Sequence, residues 1–135
     1  MATTTVYNQP ELVRMAATVN ALGAAGTVTL GTLKAGTLIV DAWINCEALT
    51  TNNALDVGDG STADLFFDGV NPSAGAVTEG THDDLIKGGY MLAEDTNVVL
   101  TNVGSAATPS SDKQVAVYFQ TYRNFDGDAT GLLIV

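Results

Sequence analysis

The feature that most constrains this chain is a strict two-residue alternation over residues 37–47, TLIVDAWINCE. Leu38, Val40, Ala42, Ile44 and Cys46 fall on one side; Thr37, Asp41, Asn45 and Glu47 fall on the other, together with Ile39 and Trp43. Successive strand side chains point to opposite faces, so this spacing predicts a strand with one apolar and one mixed face. At helical spacing the same residues give no apolar stripe. Lys34-Ala35-Gly36 marks a turn, and residues 27–33 alternate as well, so the pair reads as a hairpin.

Turn chemistry then punctuates the chain. A short strand is expected over residues 54–57, broken by Gly58-Asp59-Gly60-Ser61, and an apolar run Leu65-Phe66-Phe67 is closed by Asp68-Gly69. Residues 70–89 carry Pro72 and several glycines and read as mostly loop. Further strands are expected over residues 90–93, 97–103 and 113–124, the last with Val115, Val117 and Phe119 opposite Ala116, Tyr118 and Tyr122. Asn8-Gln9-Pro10 reads as a turn. Residues 11–22 contain good helix formers, but Val13, Met15, Ala17, Val19 and Ala21 form an all-apolar alternate set that favours a strand. The expected fold is therefore all-β, a jelly-roll-like antiparallel sandwich of about eight strands. Residues 1–135 read as a single domain, with residues 1–8 as an N-terminal arm and residues 131–135 as a docked apolar tail.

Charge narrows the function. The net charge is −10, with 5 Lys and Arg against 15 Asp and Glu. That argues against direct nucleic-acid binding, which needs cations against phosphate, and equally against an anionic membrane surface. The opening MATTTVYNQPELVR has neither a basic leader nor an apolar run, and no apolar stretch reaches the length of a membrane helix, so a soluble protein made in the cytoplasm is expected. With one cysteine no intrachain disulfide forms, and Cys46 on the apolar side reads as a small buried hydrophobe. No cofactor is expected.

Candidate sites are few. Asp56, Asp59, Asp64, Asp68, Glu79, Asp83 and Asp84 form an acidic run without an intervening Lys or Arg. Asp56, Asp59 and Asp64 are a weak Ca²⁺ candidate, since that ion takes oxygen ligands, but their spacing is not that of an EF-hand; turn-forming, solvated carboxylates are the stronger reading. A glycosidase acid pair lacks aromatic company, and a Ser-His-Asp site on His82 lacks a nucleophile-elbow pattern. We expect no enzyme. Trp43 on the mixed face is either buried under a loop or the second sheet, or an anchor at a subunit interface, where aromatics are enriched. Tyr118, Tyr122 and Arg123 are further contact candidates, as are Val6 and Tyr7 in the arm and Leu132 and Leu133 in the tail.

The segments TVTLGTLKAGTLIVDAWINCEAL, NALDVGDGSTADLFFDG, GGYMLAEDTNVVLTNVG and KQVAVYFQTYR resemble a family of small proteins encoded among the head genes of tailed bacteriophages. The resemblance runs over residues 27–123, and LDVGDGSTAD is its most specific part; the loop over residues 70–87 is longer and more acidic than the family pattern. It implies a capsid decoration or cement protein: a jelly-roll sandwich, commonly a homotrimer, on the outer surface of the virion, clamping neighbouring subunits of the major capsid protein. A host-surface or glycan-binding module and a tail or baseplate component are the alternatives.

Overall fold

The computed structural model describes residues 9–49, 54–71, 77–79, 89–107, 109 and 111–123. Among these are nine strands and no helix: β1 (Gln9–Val19), β2 (Thr27–Leu33), β3 (Thr37–Cys46), β4 (Leu55–Gly58), β5 (Phe67–Val70), β6 (Val77–Glu79), β7 (Tyr90–Met91), β8 (Thr96–Asn102) and β9 (Lys113–Arg123). One sheet has the order β1-β9-β3-β6, with β7 also paired to β3; the other has the order β2-β8-β4-β5. All pairings are antiparallel. The pairs are nested: β1 with β9, β2 with β8, β3 with β6, β4 with β5. That is a long antiparallel ribbon rolled so that its turns join at β9–β3 and β8–β4, the jelly roll expected from the sequence.

This order corrects the hairpin. β2 and β3 are joined by a short turn, yet β2 pairs with β8 and β3 pairs with β9, so the connection is a corner between sheets. The corner is pinned from the β7–β8 turn. Asp95 accepts the Ala35 N–H at 2.9 Å and meets the Lys34 ammonium at 3.5 Å. These contacts, the backbone bond first, hold the exposed Asp95 carboxyl below its ordinary pKa.

The face assignment within β3 is also corrected. A bulge between Ile39 and Asp41 inserts one residue against β9 and reverses the parity. Thr37, Ile39, Ala42, Ile44 and Cys46 are buried, whereas Leu38 and Val40 are only partly so. Two smaller corrections follow. Gln9 and Pro10 begin β1 rather than form a turn, proline being tolerated at the start of an edge strand. The expected loop over residues 70–89 contains β6, which pairs with the end of β3. Residues 11–22 are extended and not helical up to Val19.

The core lies between the sheets. Met15, Val19, Ile39, Ala42, Ile44, Cys46, Val115, Val117 and Phe119 enter from one, and Leu33, Leu55, Val57, Val70, Val98 and Leu100 from the other. Phe66 meets Phe119 edge to face at 5.2 Å, which ties the layers at their middle. On the β1/β2 flank, Gly31 allows close approach: a Cβ there would stand 2.9 Å from Met15 Sδ. At one end, the fully buried Asn102 gathers the connections. Its amide donates to the carbonyls of Leu22 (3.2 Å), Gly23 (3.3 Å) and Ser105 (2.8 Å), and its Oδ1 accepts the Gly104 N–H at 3.0 Å. A reciprocal backbone bridge between Leu22 and Ala107 adjoins it.

Candidate interaction face

The outer face of the five-stranded sheet is built from the residues alternate to the core. On β1 these are Leu12, Arg14, Ala16 and Thr18; on β9 they are Ala116, Tyr118, Gln120 and Tyr122; on β3 past the bulge they are Trp43 and Asn45. Registers decide which of them meet. Arg14 lies opposite Tyr118, and Tyr118 lies opposite Trp43. The Trp43 and Tyr118 rings stack with centroids 5.4 Å apart and planes 8° from parallel. From the other side the Arg14 guanidinium sits 5.9 Å from the Tyr118 centroid. Its Nε donates to Tyr118 Oη at 3.1 Å and its Nη2 to Gln114 Oε1 at 2.9 Å.

Because β1 and β3 flank β9, Trp43 and Arg14 reach Tyr118 from its two neighbouring strands, Trp43 by ring stacking and Arg14 chiefly through the phenol oxygen. The cluster runs across three strands, β1, β9 and β3. Trp43 is half-buried there, on the outside of the sandwich and not beneath the second sheet. Tyr122 lies on the same face, opposite Pro10 and Leu38, and Leu38 in turn faces Met91. Leu12 is 55% and Met91 39% exposed, so apolar surface rims the stack. The sequence picked out Trp43, Tyr118 and Tyr122 separately; their common face and the part of Arg14 come from the register. Arg123 ends β9, paired with Gln9 on one side and Thr37 on the other. Val6, Tyr7, His82, Leu132 and Leu133 lie outside the described residues.

Of the acidic run, Asp83 and Asp84 lie outside the described residues, and Asp59 serves its own turn. Asp59 Oδ1 accepts the N–H groups of Ser61 (2.9 Å) and Thr62 (2.7 Å), and the Asp59 N–H donates to the Thr62 carbonyl at 3.2 Å. Asp56 on β4 is buried and accepts the Gly69 N–H at 2.8 Å. Burial pushes its carboxyl pKa up; the Gly69 bond opposes this, and the carboxylates of Asp68 and Asp64 add to it. Asp64 is exposed. Among the described residues, no three His, Cys, Asp or Glu side chains are placed to hold a metal ion. Gly58 shapes this turn, because a Cβ there would collide with the Thr62 carbonyl oxygen and the Ala63 backbone. Cys46 is fully buried, and burial first, then the Glu47 carboxylate, pushes its thiol up to about 12. It stays protonated, which suits a packing residue and not a nucleophile.

No family model matches the chain, and no curated protein matches it. Solved structures do. A chain of the cyanophage Pam1 capsid asymmetric unit superposes with a TM-score of 0.64 at 18% identity, covering 84% of each chain. A chain of the capsid of Ralstonia phage GP4 superposes with a TM-score of 0.65 at 17% identity, covering 91% of each.

Proposed function

We propose that this chain is a structural, non-enzymatic component of a phage head, a decoration or cement protein that binds the outer capsid surface as an oligomer and holds joints between major capsid subunits. The observation that carries the reading is the likeness of nearly the whole chain to chains of two phage capsids. The net charge of −10 suits a place outside the shell, away from packaged nucleic acid. The Trp43–Tyr118–Arg14 face is the contact surface. It combines aromatic and arginine side chains, the types enriched where chains meet, with the exposed apolar Leu12 and Met91. The mechanism is burial of this face across a joint, so that neighbouring capsid subunits separate only if that surface is re-exposed to water. A trimer multiplies modest contacts through effective concentration.

Size-exclusion chromatography with light scattering, with and without heads lacking this protein, tests the reading. A trimer that co-elutes with heads is expected, and Trp43→Ala is expected to stay folded while losing the heads. A wild-type protein that ignores heads removes the cement role; a Trp43→Ala variant that binds as well as wild type removes this face.

A further inference from the structure

Arg14 carries a charge that no described carboxylate neutralises. The sequence holds 15 Asp and Glu against 5 Lys and Arg, so acidic groups to pair with an exposed arginine are plentiful. Its guanidinium nonetheless bonds to two neutral groups, Tyr118 Oη at 3.1 Å and Gln114 Oε1 at 2.9 Å. Among the described residues the only ion pair is Lys34–Asp95. Glu47 lies across from Gln114, where its carboxylate accepts the Gln114 N–H at 2.6 Å and its own N–H donates to the Gln114 carbonyl at 3.1 Å. Those bonds fix Gln114 and leave Arg14 without an anion.

The side chain is held along its length. Arg14 lies opposite Tyr118 but reaches Gln114, further along β9, so it passes over Ala116, which is 3% exposed although it belongs to the outer face. Tyr118 is fixed in turn by its stack on Trp43. The guanidinium carries five N–H groups. Nε and Nη2 give one each to these partners, which leaves both on Nη1 and one on Nη2. An oriented cation with donors to spare, in a chain of net charge −10, is complementary to an anionic group from outside. Neutral acceptors aim the charge and leave it intact, and aiming it in advance lowers the ordering cost of binding. Two residues back along β1, about 7 Å away, Leu12 is 55% exposed on the same face.

We propose that Arg14 receives a side-chain carboxylate of a major capsid subunit, with an apolar side chain of that subunit seated beside it on Leu12. Gln114 and Tyr118 are positioning residues for the guanidinium. The inference rests on the contact face of the function proposed above and names the chemistry which that face recognises, an acidic side chain next to an apolar one.

The test measures binding to heads lacking this protein. Arg14→Gln should weaken it about 10–100-fold, the worth of hydrogen bonds to a charged group, and Arg14→Glu roughly tenfold more again. Lys34→Gln removes the same charge at the corner between the sheets and should stay within about twofold of wild type. Gln114→Ala should weaken binding less than Arg14→Gln and add nothing to it when the two are combined, since Gln114 acts through Arg14. Arg14→Lys puts an amine at the same place, and a zero-length carbodiimide should join it to an Asp or Glu of a capsid subunit, identified by mass spectrometry of the linked peptides. If Arg14→Gln fails to fold, the cross-link decides alone. Wild type and Arg14→Gln binding alike, Lys34→Gln as damaging as Arg14→Gln, or no link from position 14 to a capsid carboxylate overturns the proposal and leaves the capsid role standing. Heads that do not bind wild type overturn both.

Discussion

Replacing Asn102 gives the sharpest test of how the ends of the sandwich are held. Its side chain is fully buried and makes four hydrogen bonds to backbone groups of two connections that are distant in sequence. Each such bond contributes about 0.5–1.5 kcal/mol net. The Leu22 carbonyl also accepts from Ala107 and the Gly23 carbonyl from Gly26, so these two keep a donor after the change. The Gly104 N–H loses the acceptor it has here. Asn102→Ala should therefore cost about 2–4 kcal/mol, toward the lower part of the four-bond sum. For a domain of this size that is roughly 8–15 °C in Tm. Asn102→Asp carries a second signature. Its carboxylate would face carbonyl oxygens, so its folded pKa rises above the unfolded value of about 3.9. The stability of that variant is then highest below the unfolded pKa and falls as pH rises through the folded pKa. Urea unfolding at pH 4 and pH 7.5, each referred to wild type at the same pH, reads both effects. An Asn102→Ala variant within 0.5 kcal/mol of wild type (about one weak bond), or an Asn102→Asp penalty that does not change with pH, would refute the reasoning.

Three further outcomes are expected. Gly58→Ala places a methyl group inside the Thr62 carbonyl contact and should destabilise by about 2–3 kcal/mol through overpacking, read as a lower urea midpoint; an unchanged midpoint would show that the turn opens freely. Asp56→Asn keeps an acceptor for the Gly69 N–H and removes a buried charge. Because burial raises the Asp56 pKa, its ionised form opposes folding above that pKa, so the variant should melt higher than wild type at pH 7, with the difference vanishing below about pH 3.9; a variant that melts lower at pH 7 contradicts the assignment. Cys46, with its thiol pushed up to about 12, should resist alkylation at pH 8 in the folded protein and react at once in urea; prompt modification of the native protein would show that the core strand opens.

Much of this fold was legible because alternation reports burial directly. Residues 13–19 and 115–119 place the right side chains inward with no further knowledge, and the jelly-roll class follows from many short strands between turn residues. What failed has physical causes. Lys34-Ala35-Gly36 signals that the chain turns, but a turn within a sheet and a corner between sheets use the same residues, and only partners far away in sequence decide between them. The bulge at Val40 is hidden because Leu38, Ile39 and Val40 suit either face. β6 is three residues long and gains its pairing from β3, not from its own pattern. On the proposed contact face, Trp43 and Tyr118 stand out as aromatics on the sides of their strands away from the core, whereas their stack depends on a register that no local spacing encodes. Asn102 gave no signal, since an asparagine closing a strand beside Gly104 looks like turn chemistry.

The central claim is that this chain strengthens a phage head from outside. The most direct measurement is a titration of heads lacking it, following the amount bound and the temperature at which the heads come apart. The account predicts saturable binding in fixed proportion to the major capsid subunits and a higher disruption temperature at saturation. Heads that bind nothing saturably, or that come apart at the same temperature when fully decorated, would contradict it.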